Sequence, residues 1–484
     1  MAATNQQPIV YGFLPNDRPA NGKLILLGFQ HVLTMFPATV LAAILMKFDV
    51  STVLAVTGLG TVVSLVCSRL FTGTYIPLYY GASFSYIAAV TAYTVKMAGD
   101  AAVAPAEVLQ VVQTGFIMTA ILNMLVGFGI RVAGGKQAID KILPPIVTGS
   151  VACVIGIGLG AAALNMASGV VVPEIAAAGG SLRWWFVAVV TLVATVCFSV
   201  YLQNKGFIGL LPVLLGAIVG YVVALIVDAA TGVLAQPAGL VQLAQFGTSG
   251  VITIPRIHFP NFSHPDTLQI MVSVGIMCIA TIPESTAHLY QISLYVDHLA
   301  EEQRKPKLGL SRYIGINLIV DGINDLVNGL FGSTAGTNYG ENNSLMVITR
   351  NYSGPVLMAA GAIAVLLGFI GPLKDFIYSI PTAVTGGLSI YLFGVIGMQG
   401  IALMISEKVN LFDPRQLAVG AVILIVGIGG NIGYPGGFLP IPLLRGIFPN
   451  GWPAIATAAV AGVLLNLIFL IFVPEYERAP VEKK

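Results

Sequence analysis

STAGTNYGENNSLMVITR, residues 333–350, is a polar and glycine-rich stretch between two apolar segments, 313–330 and 356–373. No charged loop on either side is long enough to carry it into water, so it is expected to lie inside a bilayer. Irregular backbone is tolerated at that depth only where protein or a hydrated cavity satisfies its N–H and C=O groups. Transporters hold their substrates at breaks of this kind, which makes the stretch a candidate ligand site.

The composition indicates a polytopic membrane protein. Of 484 residues, 56% are hydrophobic and only 9% charged, and the mean hydropathy is +0.88. Soluble domains carry roughly 25% charged residues. A net charge of +2 gives no indication of a nucleic-acid partner. Four cysteines fall in apolar segments without paired or metal-ligand spacing and are expected to be small core residues: Cys67, Cys153, Cys197 and Cys278.

Apolar runs of spanning length predict an all-α protein with fourteen transmembrane spans. The runs lie near 24–46, 50–69, 76–97, 106–130, 142–164, 183–203, 207–230, 268–292, 312–331, 334–350, 355–373, 380–405, 414–433 and 451–473. With both termini in the cytoplasm, 17 Lys and Arg fall inside and 6 outside, together the 23 of the chain. That bias predicts a multi-pass protein of the cell inner (plasma) membrane with cytoplasmic termini. Residues 1–21 lack an apolar segment and are expected to form a cytoplasmic tail.

Motifs that match between the two halves of the chain predict an internal repeat. They recur in the same order in both halves: Leu70–Thr74 with Leu330–Thr334, Tyr80-Gly81 with Tyr339-Gly340, and Pro144–Gly149 with Pro381–Gly386, the last pair as Pro-x-x-Val-Thr-Gly. A 7+7 duplication follows, and because seven is odd the halves are inverted in the membrane. Spans 3 and 10 are then broken spans, each a short β-strand plus a half-helix, and a site is expected where they meet.

The two half-helices predict a site that accepts and donates hydrogen bonds. Their first turns, after Gly81 and Gly340, offer free backbone N–H groups and a positive dipole end to a carbonyl oxygen. Glu341 adds an acceptor, and an ionisable residue at membrane depth is a functional candidate. The alternative is a solvated loop glutamate.

A second intramembrane carboxylate, Glu284, is followed one helical turn later by His288. Such a pair serves as a proton relay in transporters. A packing histidine is the alternative for His288, and no third ligand indicates a metal. Pro283 predicts a distortion of span 8, and His31 in span 1 is a weaker candidate of the same kind.

These groups are complementary to a planar heterocycle whose edge alternates N–H, C=O and N–H, such as uracil or xanthine. The N–H groups would face Glu284 and Glu341, and the carbonyl would face backbone N–H groups. Phe84, Tyr339 and Tyr290 are candidates for an aromatic face.

At these residues the chain resembles the nucleobase:ascorbate transporter family (nucleobase:cation symporter-2), and within it the uracil permease branch. The resemblance covers about residues 22–434 and rests on four motifs: Phe331–Thr334 with Thr337–Asn342 and Ile348–Arg350, Glu284 with His288, Gln30-His31, and Gly81–Phe84. Two positions depart from the branch: Ser344 stands where Gly is usual, and Asn343 is typical of purine-type members. Uracil and xanthine or urate therefore both stay open as substrates.

The resemblance implies a core domain, a gate domain, proton symport, an elevator-type movement of the core and a homodimer through the gate domains. The implied division is a cytoplasmic tail 1–22, core 23–138, gate 139–236, periplasmic connector 237–267, core 268–377, gate 378–474 and tail 475–484. Glu284 and Glu341 would hold the base, with Phe84, Gly340 and Ser83 lining it. Tyr339, His288 and His31 would support the pocket or the proton coupling.

Asp321 and Asp325, four residues apart in span 9, lie outside the resemblance. They predict either a second proton or cation site or a pair facing a hydrated crevice beside Asn324 and Asn328. A channel or anion exchanger would place basic residues in the cavity, whereas here the carboxylates lie in the spans. An enzyme would need a nucleophile, a base and a group that orients the base, and the sequence shows no such catalytic set. A transporter is expected, not an enzyme, with a co-transported proton and no cofactor.

Overall fold

The computed structural model is built almost entirely of helices. Eleven helices in the described part of the chain are long and apolar enough to cross a membrane. The predicted tail 475–484, residues 1–11 of the other tail, and the predicted domain boundary at 138/139 lie outside the described residues. Those residues are 12–99, 101–133, 141, 143–202, 205, 208–209, 211–236, 238–443, 445, 448 and 451–472.

Helices satisfy their own backbone groups, which is what apolar spans require. The main helices before the middle of the chain are α1 (Asn21–Leu45), α2 (Val50–Thr72), α3 (Ile87–Ala98), α4 (Ala106–Ala133), α5 (Pro145–Gly158), α6 (Gly160–Ser168), α7 (Pro173–Ala177), α8 (Leu182–Tyr201) and α9 (Pro212–Ala230). Those after it are α10 (Thr267–Gly275), α11 (Cys278–Glu302), α12 (Ile314–Phe331), α13 (Gly340–Thr349), α14 (Gly354–Leu367), α15 (Gly371–Ser379), α16 (Thr382–Ser406), α17 (Pro414–Leu424), α18 (Gly430–Gly433) and α19 (Ala454–Ile471).

In the described part of the chain, four short strands form two antiparallel pairs. The first joins β1 (Tyr80–Ala82) to β2 (Gly336–Asn338), and the second joins β3 (Phe438–Leu439) to β4 (Trp452–Pro453). The β1–β2 pair connects segments that are more than 250 residues apart in sequence, so it holds the two halves of the chain together.

The helices pack most extensively in two sets. In one, α4 packs on α12 and α10, and α14 packs on α1 and α2; in the other, α16 packs on α5, α6 and α8, and α9 packs on α8. Small residues allow close approach of the backbones, as is usual between membrane helices. A Cβ on Gly58 would lie 2.5 Å from the carbonyl oxygen of Gly361, so α2 and α14 could not approach as they do.

The two ends of the helix bundle are recognised by different contacts. At the end where α1 begins, the N-terminal face, Phe13 forms a bridge with Asn351, directly after α13. At the opposite end, the far face, the Lys47 ammonium donates to the carbonyl oxygen of Ala101 at 2.9 Å. The same end carries a buried ion pair between Lys374 and Asp49.

The expectation that all four cysteines are core residues is only partly correct. Cys153 and Cys278 are buried, Cys67 is half-buried and Cys197 is exposed on α8. The exposed side of a membrane span faces lipid, where a small apolar side chain is as well accommodated as it is in a core.

Candidate functional site

The candidate site is built on the antiparallel pairing of β1 and β2. The register is Tyr80 with Asn338, Gly81 with Thr337 and Ala82 with Gly336, and all six residues are buried. A single 3₁₀ turn, Phe84–Tyr86, leads from β1 into α3, whereas α13 starts at Gly340 almost directly after β2. Because the strands are antiparallel, the two helices leave the pair in opposite directions and both begin close to it.

Tyr339 fixes this arrangement. Its hydroxyl donates to the carbonyl oxygen of Ala82 at 2.9 Å and lies 3.0 Å from the Thr39 hydroxyl on α1. Its ring covers Gly81, where a Cβ would overlap the ring atoms. The ring is buried in this contact, so the geometry supports a positioning role for Tyr339 and leaves Phe84 better placed to offer an aromatic face.

The two carboxylates both lie next to β2. The Thr337 hydroxyl donates to Glu284 Oε2 at 3.3 Å. Glu341 stands in the first turn of α13, where the positive end of the helix dipole stabilises its charge. The carboxylates are close enough to repel each other electrostatically.

Glu341 is exposed and lines a cavity of about 50 Å³ together with Thr34 and the start of α9 at Leu211–Leu214. This cavity gives the carboxylate of Glu341 access from one side of the strand pair.

His288 is hydrogen-bonded to Asn338, not to Glu284 one turn before it. The His288 Nδ1 atom lies 2.5 Å from Asn338 Oδ1, and the Asn338 amide nitrogen donates to Ser285 Oγ at 2.8 Å. The imidazole Nδ1 is therefore the donor, and Nε2 is an acceptor. A Cβ on Gly340 would lie 3.1 Å from Nε2, so this acceptor faces the start of α13.

The distortion expected at Pro283 begins before it. Pro283 lies inside α11, and the break between α10 and α11 is at Ile276 and Met277. Met277, Ile279 and Ala280 donate to carbonyls three residues back instead of four. A proline ring clashes with the carbonyl four residues earlier, here that of Ile279, so the strain appears in the turn before the proline.

His31 connects α1 to α13. It is 1% exposed, and the Asn342 amide nitrogen lies 3.1 Å from both its Nδ1 and its backbone oxygen. The nearby Ser83 is buried, and its hydroxyl accepts from the Ser85 N–H at 3.3 Å, which caps the turn after β1. Phe84 is half-buried and meets the ring of Phe393 edge-on at 6.2 Å.

Asp325 holds β2 in place from α12. Its Oδ1 accepts from the Gly336 N–H at 2.7 Å, and its Oδ2 accepts from the Asn123 amide at 2.9 Å. Asn324 and Asn328 bond to each other at 2.8 Å, not to the carboxylates. Asp321 lies beside Ser285 and Tyr80, and its Oδ1 has no hydrogen-bond partner among the described residues. In the same part of the chain, no three His, Cys, Asp or Glu are grouped to hold a metal.

Four polar residues that support the site were assigned no role from the sequence: Thr337 and Asn338, which were named only within a family motif, Ser285 and Asn123. Thr337 and Asn338 alternate along β2, so one faces Glu284 and the other faces His288. An alternating polar pair directly before Tyr339 was a usable signal, whereas the contact with Asn123 joins residues 202 apart and leaves no local pattern.

Relatives of known name match nearly the whole chain. The model of the permease family, Xan_ur_permease, matches residues 22–435. The uracil permease of Bacillus caldolyticus is 35% identical over 454 residues, which cover 93% of this chain and 93% of that protein. The uracil permease of Bacillus subtilis strain 168 is 32% identical over 454 residues, covering 93% of this chain and 94% of its own length.

Two solved structures share the fold. SLC26A9 superposes with a TM-score of 0.62 at 12% identity over 93% of this chain, which spans 65% of the SLC26A9 chain. The transmembrane domain of the cyanobacterial bicarbonate transporter BicA gives 0.56 at 12% identity over 95% of this chain and 100% of that domain. The chain therefore has an SLC26/BicA-like transporter fold and belongs to the permease family, the nucleobase:ascorbate transporter family that its motifs resemble, as a multi-span membrane transporter and not an enzyme.

Proposed function

We propose that the chain imports uracil, or a related pyrimidine, across the plasma membrane together with a proton. The observation that carries this proposal is the position of both Glu284 and Glu341 next to β2, where α13 begins. The uracil permeases that resemble the chain over more than nine-tenths of its length support the substrate class.

The recognition follows from hydrogen-bond chemistry. The two carboxylates accept the N–H groups of the base, and the unpaired N–H groups of the first turn of α13, beginning at Gly340, donate to a carbonyl oxygen. Phe84 supplies a backbone group and an aromatic edge, and Ser83 lies next to it. Tyr339 and His288 hold the strand pair and the helix start in position. Together these residues form the central site.

Asn343 favours a second candidate substrate, xanthine or urate. It is fully buried in α13, and neither its amide nitrogen nor its amide oxygen has a hydrogen-bond partner among the described residues. A purine has a second ring with more polar edge atoms than uracil, and a buried unpaired amide would bind one of them.

The proton couples through Glu284, with His288 and His31 as neighbouring groups. A proton carried on the neighbouring imidazole of His288 offsets the negative charge of Glu284, which stays an acceptor of the base N–H, so proton binding and base binding favour the same loaded state. Asp321 and Asp325 are proposed as a second proton or cation site. The free Oδ1 of Asp321 supports that role better than Asp325, whose two oxygens are already bonded.

The proposed architecture has fourteen spans in a 7+7 inverted repeat. Eleven long helices, the shorter apolar helices α3 and α14, and the more polar half-helix α13 support this number. The matching motifs at Pro145 and Thr382 each begin a helix, α5 and α16, which supports the repeat.

The two packing sets support a core domain (23–138 and 268–377) and a gate domain (139–236 and 378–474). An elevator movement of the core against the gate follows from this division. The exposed apolar side of α8 is the proposed contact of a gate-to-gate homodimer, with both termini cytoplasmic.

An anion exchanger on the same fold is the rival. The similar solved structures include a bicarbonate transporter, so the fold alone does not separate the two classes. The central site contains two carboxylates, and a pair of negative charges repels an anionic substrate. A neutral base with N–H donors fits the site better.

Uptake into proteoliposomes tests the coupling. With an inward pH gradient and no sodium, uracil should accumulate above equilibrium, and collapse of the gradient with a protonophore should abolish the accumulation. Excess unlabelled uracil should compete fully, and xanthine or urate less. Sodium-dependent uptake that ignores the pH gradient would contradict proton coupling, and competition by xanthine or urate alone would move the substrate to the purines.

A further inference from the structure

A cavity of about 280 Å³ lies on the far-face side of the strand pair, away from the opening to Glu341. Its walls come from α3 and α10 in one packing set, which α3 joins by packing on α4 and α10, and from the β3–β4 region and the start of α19 in the other, which α19 joins by packing on α5. It extends inward to Ala88 at the start of α3 and to Met277 at the break between α10 and α11. This space, the outer cavity, lies between the surfaces that the proposed elevator moves against each other.

Gln269 gives the outer cavity a polar group that has no partner. The residue is only 7% exposed and lines the cavity. Within the described part of the chain its amide makes no hydrogen bond, and its polar atoms are not among those sealed from solvent. A nearly buried amide that lacks a protein partner is costly unless water or a ligand bonds to it. The amide presents a donor and an acceptor side by side.

Asp266 adds a carboxylate at the outer end of the same cavity. Its Oδ2 accepts from the Tyr93 hydroxyl at 2.9 Å, and among the described residues no donor reaches Oδ1. Asp266 precedes Gln269 by three residues, at the start of α10, so the two polar groups lie on one side of the helix. Together they offer two acceptors and one donor to a ligand in the cavity.

Aromatic rings complete the wall. Tyr93 and Phe438 line the cavity from opposite packing sets. Flat rings favour a planar ligand that stacks on them. The volume is close to the roughly 300 Å³ at which small-molecule sites begin, so it suits a single-ring heterocycle.

We propose that the outer cavity is a second, weaker binding site for a planar heterocycle that carries adjacent N–H and C=O groups, the edge that a nucleobase presents. This inference rests on the proposed function for its ligand class. Gln269 pairs with the N–H and C=O edge, and Asp266 Oδ1 accepts a further N–H. The outer cavity and the cavity at Glu341 share no lining residue. The outer site would hold a base on the far-face side while the central site opens on the other side.

Equilibrium binding of radiolabelled uracil to the purified full chain tests this site. The wild type should bind two molecules per chain with different affinities, and Glu341→Ala should retain the weaker one. In the Glu341→Ala background, Gln269→Met should lower the residual affinity by about tenfold, because the paired hydrogen bonds are lost. Met preserves the volume and removes an unpaired amide, so this variant should fold at least as well, which its melting temperature checks.

Asp266→Asn in the same background provides a second variant, and Glu107→Gln is its matched control. Glu107 is an exposed carboxylate at the start of α4 that does not line the cavity. Asp266→Asn should weaken the residual binding, and Glu107→Gln should leave it unchanged. One tight molecule per wild-type chain with no residual binding in Glu341→Ala would overturn the outer site and leave the proposed function intact. Residual binding that is insensitive to both cavity variants would overturn it equally, whereas a wild type that binds no base would overturn the proposed function itself.

Discussion

Glu284→Gln should lower the uracil affinity of the central site by about 100-fold, because a charged acceptor of a base N–H is replaced by a neutral amide. Glutamine has nearly the shape of glutamate, and its carbonyl oxygen can still accept from the Thr337 hydroxyl, so the support from β2 is retained. The loss should therefore appear in binding and not in folding. Isothermal titration of the purified protein with uracil measures it.

Glu301→Gln is the matched control on the same helix. Its side chain is 53% exposed and pairs with Lys307 at 2.7 Å, far from the strand pair. The control should keep the wild-type affinity, since a surface ion pair contributes little. Equal affinity of Glu284→Gln and wild type would mean that the carboxylate of Glu284 does not contact the base.

Lys374→Met should lower the free energy of unfolding by about 3–5 kcal/mol, which is the usual effect of removing one partner from a buried ion pair. The Lys374 ammonium lies 2.6 Å from Asp49 Oδ2, and the two side chains are 14% and 4% exposed. The other oxygen, Oδ1, accepts from the N–H and the hydroxyl of Thr52 at the start of α2. Without the ammonium, Asp49 is left as a nearly buried charge that lacks its counter-ion. Unfolding by denaturant in detergent measures the change.

The double variant Asp49→Asn with Lys374→Met should recover most of this loss. Asparagine is as good a helix N-cap as aspartate, so the start of α2 keeps its bond to Thr52 and loses only the charge. A single variant as stable as the wild type would show that Asp49 is solvated or protonated in place. A double variant no more stable than the single one would mean that the ammonium stabilises α15 in some other way.

Local composition was enough to mark the two irregular segments, but not to predict that they pair as strands. A polar, Gly-rich run inside an apolar chain can adopt few structures in a membrane, because its backbone groups need partners there. The Tyr-Gly pairs at Tyr80 and Tyr339 marked two such runs. The structure brings the runs together through Gly81, where only a missing side chain lets the ring of Tyr339 approach. The sequence therefore predicted the pairing segments, although it did not give their register.

Partners of buried polar groups could not be predicted in the same way. The interval of four residues between Glu284 and His288 predicted contact along one helix, but His288 bonds to Asn338 on a strand 50 residues away. Likewise, Asp325 bonds to the backbone of Gly336 and to Asn123, not to the neighbouring asparagines. Periodicity fixes which side of a helix a residue occupies, whereas the partner depends on which element the fold brings to that side.

The outer cavity also could not be predicted from the sequence. Gln269 and Asp266 stand at the start of an apolar span, where polar residues are ordinary, and nothing local distinguishes them from interfacial side chains. Their significance comes from α3 and the β3–β4 region, which close over them from both packing sets.

A structure of the protein determined with saturating uracil tests the central claim most directly. The base is expected beside the strand pair, with its N–H groups within hydrogen-bond distance of Glu284 and Glu341 and a carbonyl oxygen facing the start of α13 at Gly340. Uracil bound only elsewhere, or bound centrally with its N–H groups directed away from both carboxylates, would contradict it.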